Sequence, residues 1–250
     1  MKHEDWSLVD GEQTSLGRVC VLDQVASTQN EVRRRLLQEE VAVVIAKRQV
    51  EGRGRQGRTW DDAGGGSLCL SFAVRTALTP AGLSIAVGLG VLYGCIGLGA
   101  VGLGLKWPND IVESHDDGPG RKLAGVLIES VGTTAIVGVG INVCGSETIA
   151  EALSLQEIGV TAGRPEVVFP VLDGMATWLS ATPDSIRQAW QVHGLLRGKP
   201  CRFRVDGNQV VGVVVDLDPQ WRLVLETDEG RKIRVDAAHA HFEEVLALRG

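Results

Sequence analysis

The sequence predicts an α+β fold in two parts, on three observations. Its 250 residues are 44% apolar, which is enough to bury a full core. Short β-branched runs occur in mixed order with helical segments over most of the chain. From Cys201 onward the pattern changes to short strands separated by turns, which is typical of a small antiparallel barrel or meander. We therefore predict a large domain over 1–196 and a small one over 197–250.

The large domain begins with a strand and a helix. Residues 19–25 are an apolar run of strand type, and the pair Ser27-Thr28 can cap a helix that runs through 31–37. Other β-branched and apolar runs predict strands at 41–46, 67–74, 111–113, 123–130 and 134–143. Helical patterns predict helices at 80–96, 147–153, 165–179 and 185–190.

Composition narrows the class of protein. The formal charge of -6 is spread along the chain, which argues against a general binder of nucleic-acid phosphates. Five cysteines, an odd number, lie far apart with no C-x-x-C spacing, so neither a disulfide framework nor a zinc site is indicated. We expect most of them to be small core residues in a reducing cytoplasm. Residues 1–10 lack the apolar run of a signal peptide.

One uncharged stretch, 83–105, is long enough to span a membrane. Seven of its residues are glycines, and the alternating pattern at 97–99 and 102–105 does not continue a helix well. We therefore predict no membrane span but a buried helix, a turn, and a short strand into Lys106-Trp107.

The segment Gly52-Arg53-Gly54-Arg55-Gln56-Gly57 matches the dinucleotide pattern G-x-G-x-x-G, but its context does not fit. No helical period follows Gly57, and no acid lies about 20 residues on. Between Lys47 and Arg58 there are five cations and one acid, with glycines that let the backbone wrap closely around a ligand. The alternative is a solvated basic loop. A preceding apolar strand, and Trp60 at the end of the segment, favour an anion site.

Three further motifs are each compatible with structure alone. Lys106-Trp107-Pro108-Asn109-Asp110 could be a turn, Lys122 could lie along an apolar strand with its ammonium in water, and Asn142 could simply end a strand.

Together and in this order, the motifs are highly specific. They are Ser-Thr (27–28), Gly-Arg-Gly-Arg-x-Gly-Arg-x-Trp (52–60), Lys-Trp-Pro-Asn-Asp (106–110), Arg-Lys-Leu-Ala-Gly (121–125) and Gly-Ile-Asn (140–142). The chain resembles the biotin protein ligases from about Val19 to its C-terminus. The resemblance implies a class II synthetase-like domain, with a central mixed β-sheet flanked by helices, and a C-terminal SH3-like β-barrel.

The resemblance also implies an ATP-dependent enzyme. Biotin and MgATP would give biotinyl-5′-AMP, and the biotinyl group would then pass to a lysine of a biotin carboxyl carrier protein. The implied catalytic residues are Lys122 and Arg55. The implied biotin-binding residues are Ser27, Thr28, Gln29, Gln49, Arg53, Gly54, Arg55, Lys122 and Gly125. The implied ATP and adenylate contacts are Arg55, Arg58, Trp60, Lys106, Asn109, Asp110, Lys122 and Asn142. No protein ligand for Mg²⁺ is assigned, because phosphates would hold most of it.

Some positions depart from the family pattern. Family members commonly have Asn directly after the Ser-Thr pair, whereas this chain has Gln29-Asn30. Asp61-Asp62 stands where many members have an aromatic residue that covers the adenine. His239 and His241 are expected to be exposed loop residues without a function. Only about 18 residues precede the first strand, so we expect no helix-turn-helix and no DNA binding. The protein would be a monomer or a homodimer. Two alternatives stay open: a lipoate or octanoate ligase or transferase of the same fold, and a non-catalytic biotin-sensing module.

Overall fold

The structure is a computed structural model that describes residues 4–38, 40, 42–145 and 150–247. The strands, in chain order, are β1 (Gln13–Thr14), β2 (Gly17–Val25), β3 (Ala42–Gln49), β4 (Gly52–Arg53), β5 (Thr59–Trp60), β6 (Ser67–Val74), β7 (Leu103–Lys106), β8 (Asp110–His115), β9 (Gly118–Val131), β10 (Thr134–Asn142), β11 (Pro200–Val205), β12 (Asn208–Leu217), β13 (Leu223–Glu226), β14 (Lys232–Val235) and β15 (Ala240–Val245). The helices are α1 (Thr28–Leu36), α2 (Pro80–Gly97), α3 (Arg164–Leu179) and α4 (Pro183–His193).

A central sheet of eight strands organises the large domain. Its order is β1-β2-β3-β6-β10-β9-β8-β7, and it is mixed because β2 and β3 run parallel while the other pairs are antiparallel. The predicted α+β class with a central mixed sheet is confirmed. The continuous apolar runs of β3 and β6 are buried along most of their length, as expected for strands covered on both faces.

Helix α2 is the core helix of this domain. It is long and apolar enough to cross a membrane by length and composition, but 72% of it is buried within the fold. Thr79 caps its first turn, and Gly90 and Gly94 let α3 approach closely. A Cβ at Gly90 would lie 2.4 Å from the Cα of Met175, so a larger residue there would separate the two helices. The predicted buried helix is confirmed, and so is the strand that follows it.

The helix predicted at 147–153 is wrong in its described part. Residues 146–149 lie outside the described ranges, and 150–153 form a turn and an extended bridge instead of a helix. The reason is a pair of backbone hydrogen bonds to β9. The N–H of Lys122 donates to the carbonyl of Glu151, and the N–H of Leu153 donates to the carbonyl of Lys122, both at 2.8 Å. This segment therefore extends the edge of the sheet beside Lys122.

The C-terminal strands form a five-stranded antiparallel sheet in the order β14-β13-β12-β11-β15. This is consistent with the predicted SH3-like domain, although within the described ranges β14 and β15 do not pair to close a barrel. The sheet packs on the large domain through Trp107, whose indole N–H donates to the carbonyl of Trp221 and whose ring lies edge-on to Phe203. Both sheets contribute to one continuous apolar core. The boundary between 196 and 197 stays a prediction.

The expectation that most cysteines are core residues is confirmed. Cys69, Cys95 and Cys201 are buried, and burial raises the pKa of each thiol to about 12. These side chains therefore stay protonated and serve packing.

Candidate active site

One cavity lies where the central sheet, the glycine-rich segment and strand β15 meet. It is lined by all but one of the residues assigned by sequence: Ser27, Thr28, Gln29, Gln49, Arg53, Gly54, Arg55, Arg58, Trp60, Lys106, Asn109, Asp110, Lys122 and Gly125. These residues come from five separate stretches of the chain. The fold therefore brings the predicted residues together.

Glycines form the floor of the cavity. Gly125 on β9 and Gly140 on β10 are cross-strand partners, and the indole of Trp60 lies over them. A Cβ at Gly140 would lie 2.3 Å from Cε2 of Trp60, so only glycine leaves room for the ring. Gly138 lies on the same face, two residues away, and makes room for the side chain of Gln29 in the same way. The indole of Trp60 is thus supported by bare backbone.

The segment from Gly52 to Trp60 is a small hairpin. Gly52 pairs with Trp60 and Arg53 pairs with Thr59, and a single 3-10 turn joins the two short strands. Gln56 and Gly57 have positive φ values of 56° and 75°, which fold the tip back tightly. The α-helix of a dinucleotide fingerprint does not follow, so this segment is a hairpin that reaches over the cavity.

Asp62 closes the base of the hairpin. This buried carboxylate accepts hydrogen bonds from the backbone N–H of Gln49 at 2.9 Å and of Gly65 at 3.1 Å, and from Nε of Arg48 at 3.3 Å. Gln49 precedes the hairpin and Gly65 follows it, so one side chain ties both ends together. The sequence marked Asp61-Asp62 only as a departure from the family pattern.

Polar side chains are already ordered at one end of the cavity. Oε1 of Gln49 accepts from both the N–H and the hydroxyl of Thr28, and the Thr28 hydroxyl lies 2.7 Å from that of Ser71. The amide of Gln29 donates to the carbonyl of Leu127 at 3.3 Å. Ser27 is the N-cap residue of α1, but its side chain makes no capping hydrogen bond, so the predicted cap by side chain is wrong at this position.

Cations surround the other end. Nζ of Lys122 lies 2.6 Å from Oδ1 of Asp110 and 5.5 Å from the ring centre of Trp60. Nζ of Lys106 lies 4.8 Å from the ring centre of Phe242. Burial lowers the pKa of Lys106 below its ordinary value, although the charge of Asp110 opposes the shift. A cation held in a poorly solvated place gains more than usual from an anionic ligand.

Two of the three arginines of the hairpin, Arg53 and Arg55, point to different partners. Arg55 donates to Oδ1 of Asn109 at 3.1 Å and to the backbone carbonyl of Ala237 in the C-terminal domain. Burial lowers the pKa of Arg55, and the charge of Asp110 raises it in part. Arg53 instead donates to Asn30 and Glu129, which do not line the cavity. Arg55 therefore spans the cavity from the hairpin to the second domain.

Two family models match the sequence. The model of the biotin/lipoate A/B protein ligase family covers residues 21–145, and that of the biotin protein ligase C-terminal domain covers residues 197–238. The chain belongs to the biotin/lipoate A/B protein ligase family. It is 36% identical over 210 residues to the biotin–[acetyl-CoA-carboxylase] ligase of Mycobacterium tuberculosis, covering 78% of this chain and 76% of that protein. The ligase of the same name from Paracoccus denitrificans is 30% identical, with 80% and 90% covered.

Solved structures agree with the sequence comparison. The biotin protein ligase of Aquifex aeolicus, in complex with biotin and ATP, matches with a TM-score of 0.76 and 26% identity, over 90% of this chain and 98% of that one. The family resemblance inferred from the motifs is confirmed.

Asn142 stands apart from the other residues assigned in this ligase. It is buried behind the cavity, where its amide donates to the carbonyl of Lys122 at 3.1 Å and its Oδ1 accepts from the hydroxyl of Ser67 at 3.0 Å. Its described contacts hold the backbone of Lys122. The assignment of Asn142 as a nucleotide contact stays a prediction.

The sequence did not identify the contribution of the C-terminal domain. Ala240, His241 and Phe242 line the cavity from strand β15, and Nδ1 of His241 lies 3.5 Å from Nη2 of Arg58. The expectation of an exposed loop holds for His239, which lies in a turn. It is wrong for His241, which is exposed as expected but belongs to β15 and pairs with β11. Gln56, Thr59, Gly138 and Gly140 also line the cavity without having been assigned. The glycines of β10 were visible as a small-residue pattern at 138 and 140, but nothing in the sequence indicated the histidine.

Proposed function

We propose that this ligase activates biotin with ATP and transfers it to a lysine of a carrier protein. The biotin carboxylate attacks the α-phosphorus of ATP, which forms biotinyl-5′-AMP and releases pyrophosphate. The ε-amine of the acceptor lysine then attacks the acyl carbon, which forms an amide and releases AMP. The observation that supports this most strongly is the cavity itself. Ordered polar side chains line one end of it, cations surround the other end, and the indole of Trp60 lies on its glycine floor.

The polar end suits the ring system of biotin. Its ureido group offers a carbonyl acceptor and two N–H donors, and the Thr28–Gln49 pair presents complementary groups that neighbouring side chains already hold in place. Preorganised polar groups lose little entropy on binding. Ser27, Gln29 and Gly125 complete this end, with Trp60 as the apolar wall.

The cationic end suits the reaction. Two anionic groups must meet, and each pair of unit charges about 4 Å apart interacts by about 4 kcal/mol at an effective dielectric of about 20. Lys122 is proposed to hold the carboxylate and the α-phosphate oxygens in line, with Lys106, Asn109 and Arg58 on the nucleotide side. Asp110 is proposed to keep Lys122 oriented, because it already pairs with its Nζ.

The hairpin is proposed to act as a cover. Arg55 reaches the C-terminal domain across the cavity, and its charge is proposed to meet phosphate oxygens of the bound nucleotide. A closed cover would keep water from the reactive mixed anhydride until the acceptor lysine arrives.

Mg²⁺ fits as a companion of the nucleotide and less well as a resident of the protein. Among the residues that the structure describes, no group of three His, Cys, Asp or Glu side chains could hold a metal ion, and Asp110 is the only carboxylate that lines the cavity. Mg²⁺ in such sites is bound by one or two carboxylates together with substrate phosphates. When bound, it would neutralise part of the phosphate charge.

The acceptor and the compartment are extensions of the same proposal. Relatives named as biotin–[acetyl-CoA-carboxylase] ligases act on a carboxylase, and we propose a biotin carboxyl carrier protein as the acceptor here. Three buried thiols that stay protonated are compatible with a reducing cytoplasm.

Titration calorimetry tests the proposal. Biotin, lipoate and octanoate are each titrated with and without a non-hydrolysable ATP analogue, and biotin-dependent exchange of pyrophosphate into ATP is measured beside it. We expect binding of biotin, tightened by the analogue, and exchange that requires biotin. Binding of lipoate or octanoate in place of biotin would favour another acid, and binding of biotin without exchange would favour a sensor.

A further inference from the structure

Arg53 is fixed by two acceptors that do not line the ligand cavity. Its Nη1 donates to Oδ1 of Asn30 at 2.9 Å, and its Nη2 donates to Oε2 of Glu129 at 3.2 Å. Asn30 belongs to α1 and Glu129 to β9, so both acceptors are carried by the rigid part of the large domain. The first arm of the hairpin is therefore tied to the central sheet and its helix by one guanidinium.

A second arginine uses the same two acceptor atoms. Nη1 of Arg33 donates to Oδ1 of Asn30 at 3.3 Å, and its Nη2 donates to Oε2 of Glu129 at 3.0 Å. Guanidinium groups only donate, so the amide of Asn30 must present its oxygen to both. With two arginines and one carboxylate, these four residues carry surplus positive charge beside the cavity. Such a surplus favours an anionic ligand there.

A further donor of Arg53, its Nε–H, is not used by Asn30 or Glu129. Nε is buried and has no hydrogen-bond partner in the described ranges. A buried donor without an acceptor is unfavourable, so the two outer contacts must offset this cost for Arg53 to keep its position.

We propose that Asn30 and Glu129 are positioning residues of this ligase. Their side-chain oxygens accept hydrogen bonds from the two outer nitrogens of Arg53 and so hold the hairpin arm that leads to Arg55. This inference rests on the proposed function for the identity of the ligand. We call the hydrogen bonds from Arg53 to Asn30 and Glu129 the Arg53 anchor. The main consequence of the proposal is that this anchor determines how long the adenylate is retained.

The test compares Glu129→Gln and Asn30→Ala with the matched control Arg33→Gln. The control loses hydrogen bonds to the same two acceptors but does not touch the hairpin. The rate at which preformed biotinyl-5′-AMP leaves the protein is measured, together with pyrophosphate exchange at saturating substrates. We expect Asn30→Ala, which removes an acceptor, and Glu129→Gln, which removes the carboxylate charge, each to speed release about tenfold, the effect of losing or neutralising one charge-assisted hydrogen bond. Exchange at saturation should stay within about twofold, and Arg33→Gln should match the wild type in both assays.

Two variants separate positioning from a general loss of stability. Asn30→Asp keeps an acceptor oxygen and should retain the adenylate at least as well as the wild type. A double-mutant cycle between Glu129→Gln and Arg53→Lys should be non-additive for the release rate, whereas the cycle between Glu129→Gln and Arg33→Lys should be additive. A merely structural role would lower the melting temperature of all these variants, Arg33→Gln included, without changing release.

Trypsin cleavage of the unliganded chain tests the Arg53 anchor without any ligand. Glu129→Gln should be cut after Arg53 or Arg55 at least about threefold faster than the wild type and Arg33→Gln, because the freed arm opens more often. Equal cutting rates, or faster adenylate release in Arg33→Gln, would contradict the proposal that Asn30 and Glu129 position Arg53. Absence of biotin-dependent exchange in the wild type would instead contradict the proposed function. In that case the cleavage rates alone would test the positioning of Arg53.

Discussion

Nζ of Lys122 lies 2.6 Å from Oδ1 of Asp110. The backbone of the same lysine is held on both sides, by the bridge to Ala152 and by the amide of Asn142. An anionic ligand that binds Lys122 must therefore compete with Asp110 or share the lysine with it. Because the ion pair keeps the ammonium in one place, little reorganisation is needed when the ligand arrives.

Replacement of Lys122 tests its proposed role. We expect Lys122→Ala to lose adenylate formation by about 100-fold or more, the range for removal of one preorganised charge at a transition state. The measurement is biotin-dependent pyrophosphate exchange, with circular dichroism to confirm folding. Lys232→Ala, an exposed lysine of β14, is the control and should be unaffected. Normal exchange in Lys122→Ala would refute the role.

Arg55→Gly tests the cover. The substitution removes the hydrogen bonds to Asn109 and to the Ala237 carbonyl, so the hairpin loses its contact across the cavity. We expect an enzyme that still forms the adenylate but releases it into solution, where it modifies exposed lysines of unrelated proteins. Retention of the intermediate as tight as in the wild type would show that the hairpin is not the cover.

Asp62 should control both stability and ligand binding. Asp62→Ala leaves the N–H of Gln49 without its carboxylate acceptor, which costs about 1–3 kcal/mol. It also leaves the N–H of Gly65 with only the backbone carbonyl of residue 62, so one side chain no longer ties the two ends of the hairpin together. We expect a lower melting temperature and a higher KM for biotin. Asp61→Ala is the matched control, because this exposed neighbour accepts from the N–H of Ala63 and, among the described residues, does not tie the two ends of the hairpin together. Equal effects of the two substitutions would contradict this role.

Gly140→Ala tests the floor. Its Cβ would overlap the indole of Trp60, so the ring must move or the strands must shift, and such overpacking costs about 1–3 kcal/mol. We expect weaker biotin binding by calorimetry together with a lower melting temperature. Gly97→Ala is the control, since a Cβ there meets nothing within 4 Å. Unchanged biotin affinity in Gly140→Ala would mean that Trp60 does not shape the site.

The ion pair between Glu4 and Arg164 should make the stability of the protein depend on pH in acid. Burial tends to raise the pKa of Glu4, but hydrogen bonds and charge from buried Arg164 outweigh it and hold the pKa below the ordinary value of 4.5. The stabilisation by Glu4 is therefore complete above pH 4.5 and is lost as the pH falls through the lower value of the folded state. We expect the melting temperature of Glu4→Gln to fall less steeply below pH 4.5 than that of the wild type. Glu12→Gln serves as the control, and parallel curves for Glu4→Gln and the wild type would contradict the linkage.

Much of the central sheet could be predicted because its signals are local. The β-branched run before Gln49 and the apolar run of β6 gave strands close to those observed. The segment at 150–153 was not predictable in this way, since its extended form depends on pairing with Lys122 across the fold. The backbone hydrogen bonds to Lys122 outweighed the local helical pattern there.

The fold brings together the residues that motifs predicted for the site, and the contacts between distant segments could not be predicted. Lys122 and Asp110 lie in recognisable motifs, and the fold brings them together. Arg58 and His241 are separated by 183 positions, and no local pattern links them. Asp62 was noted only as a missing aromatic, because its role depends on two backbone N–H groups whose positions the sequence does not reveal.

The acceptor that the C-terminal domain offers to Arg55 is a main-chain carbonyl, that of Ala237. Side-chain scanning across 236–238 would leave this oxygen in place and could score the region as dispensable. Removal of β15, or a deletion in 236–239 that shifts its register, would abolish the contact. This contact between the hairpin and the C-terminal domain therefore tolerates substitutions in the turn but not insertions or truncations. The length of the turn is thus a better guide to a shared mechanism than the identity of its residues.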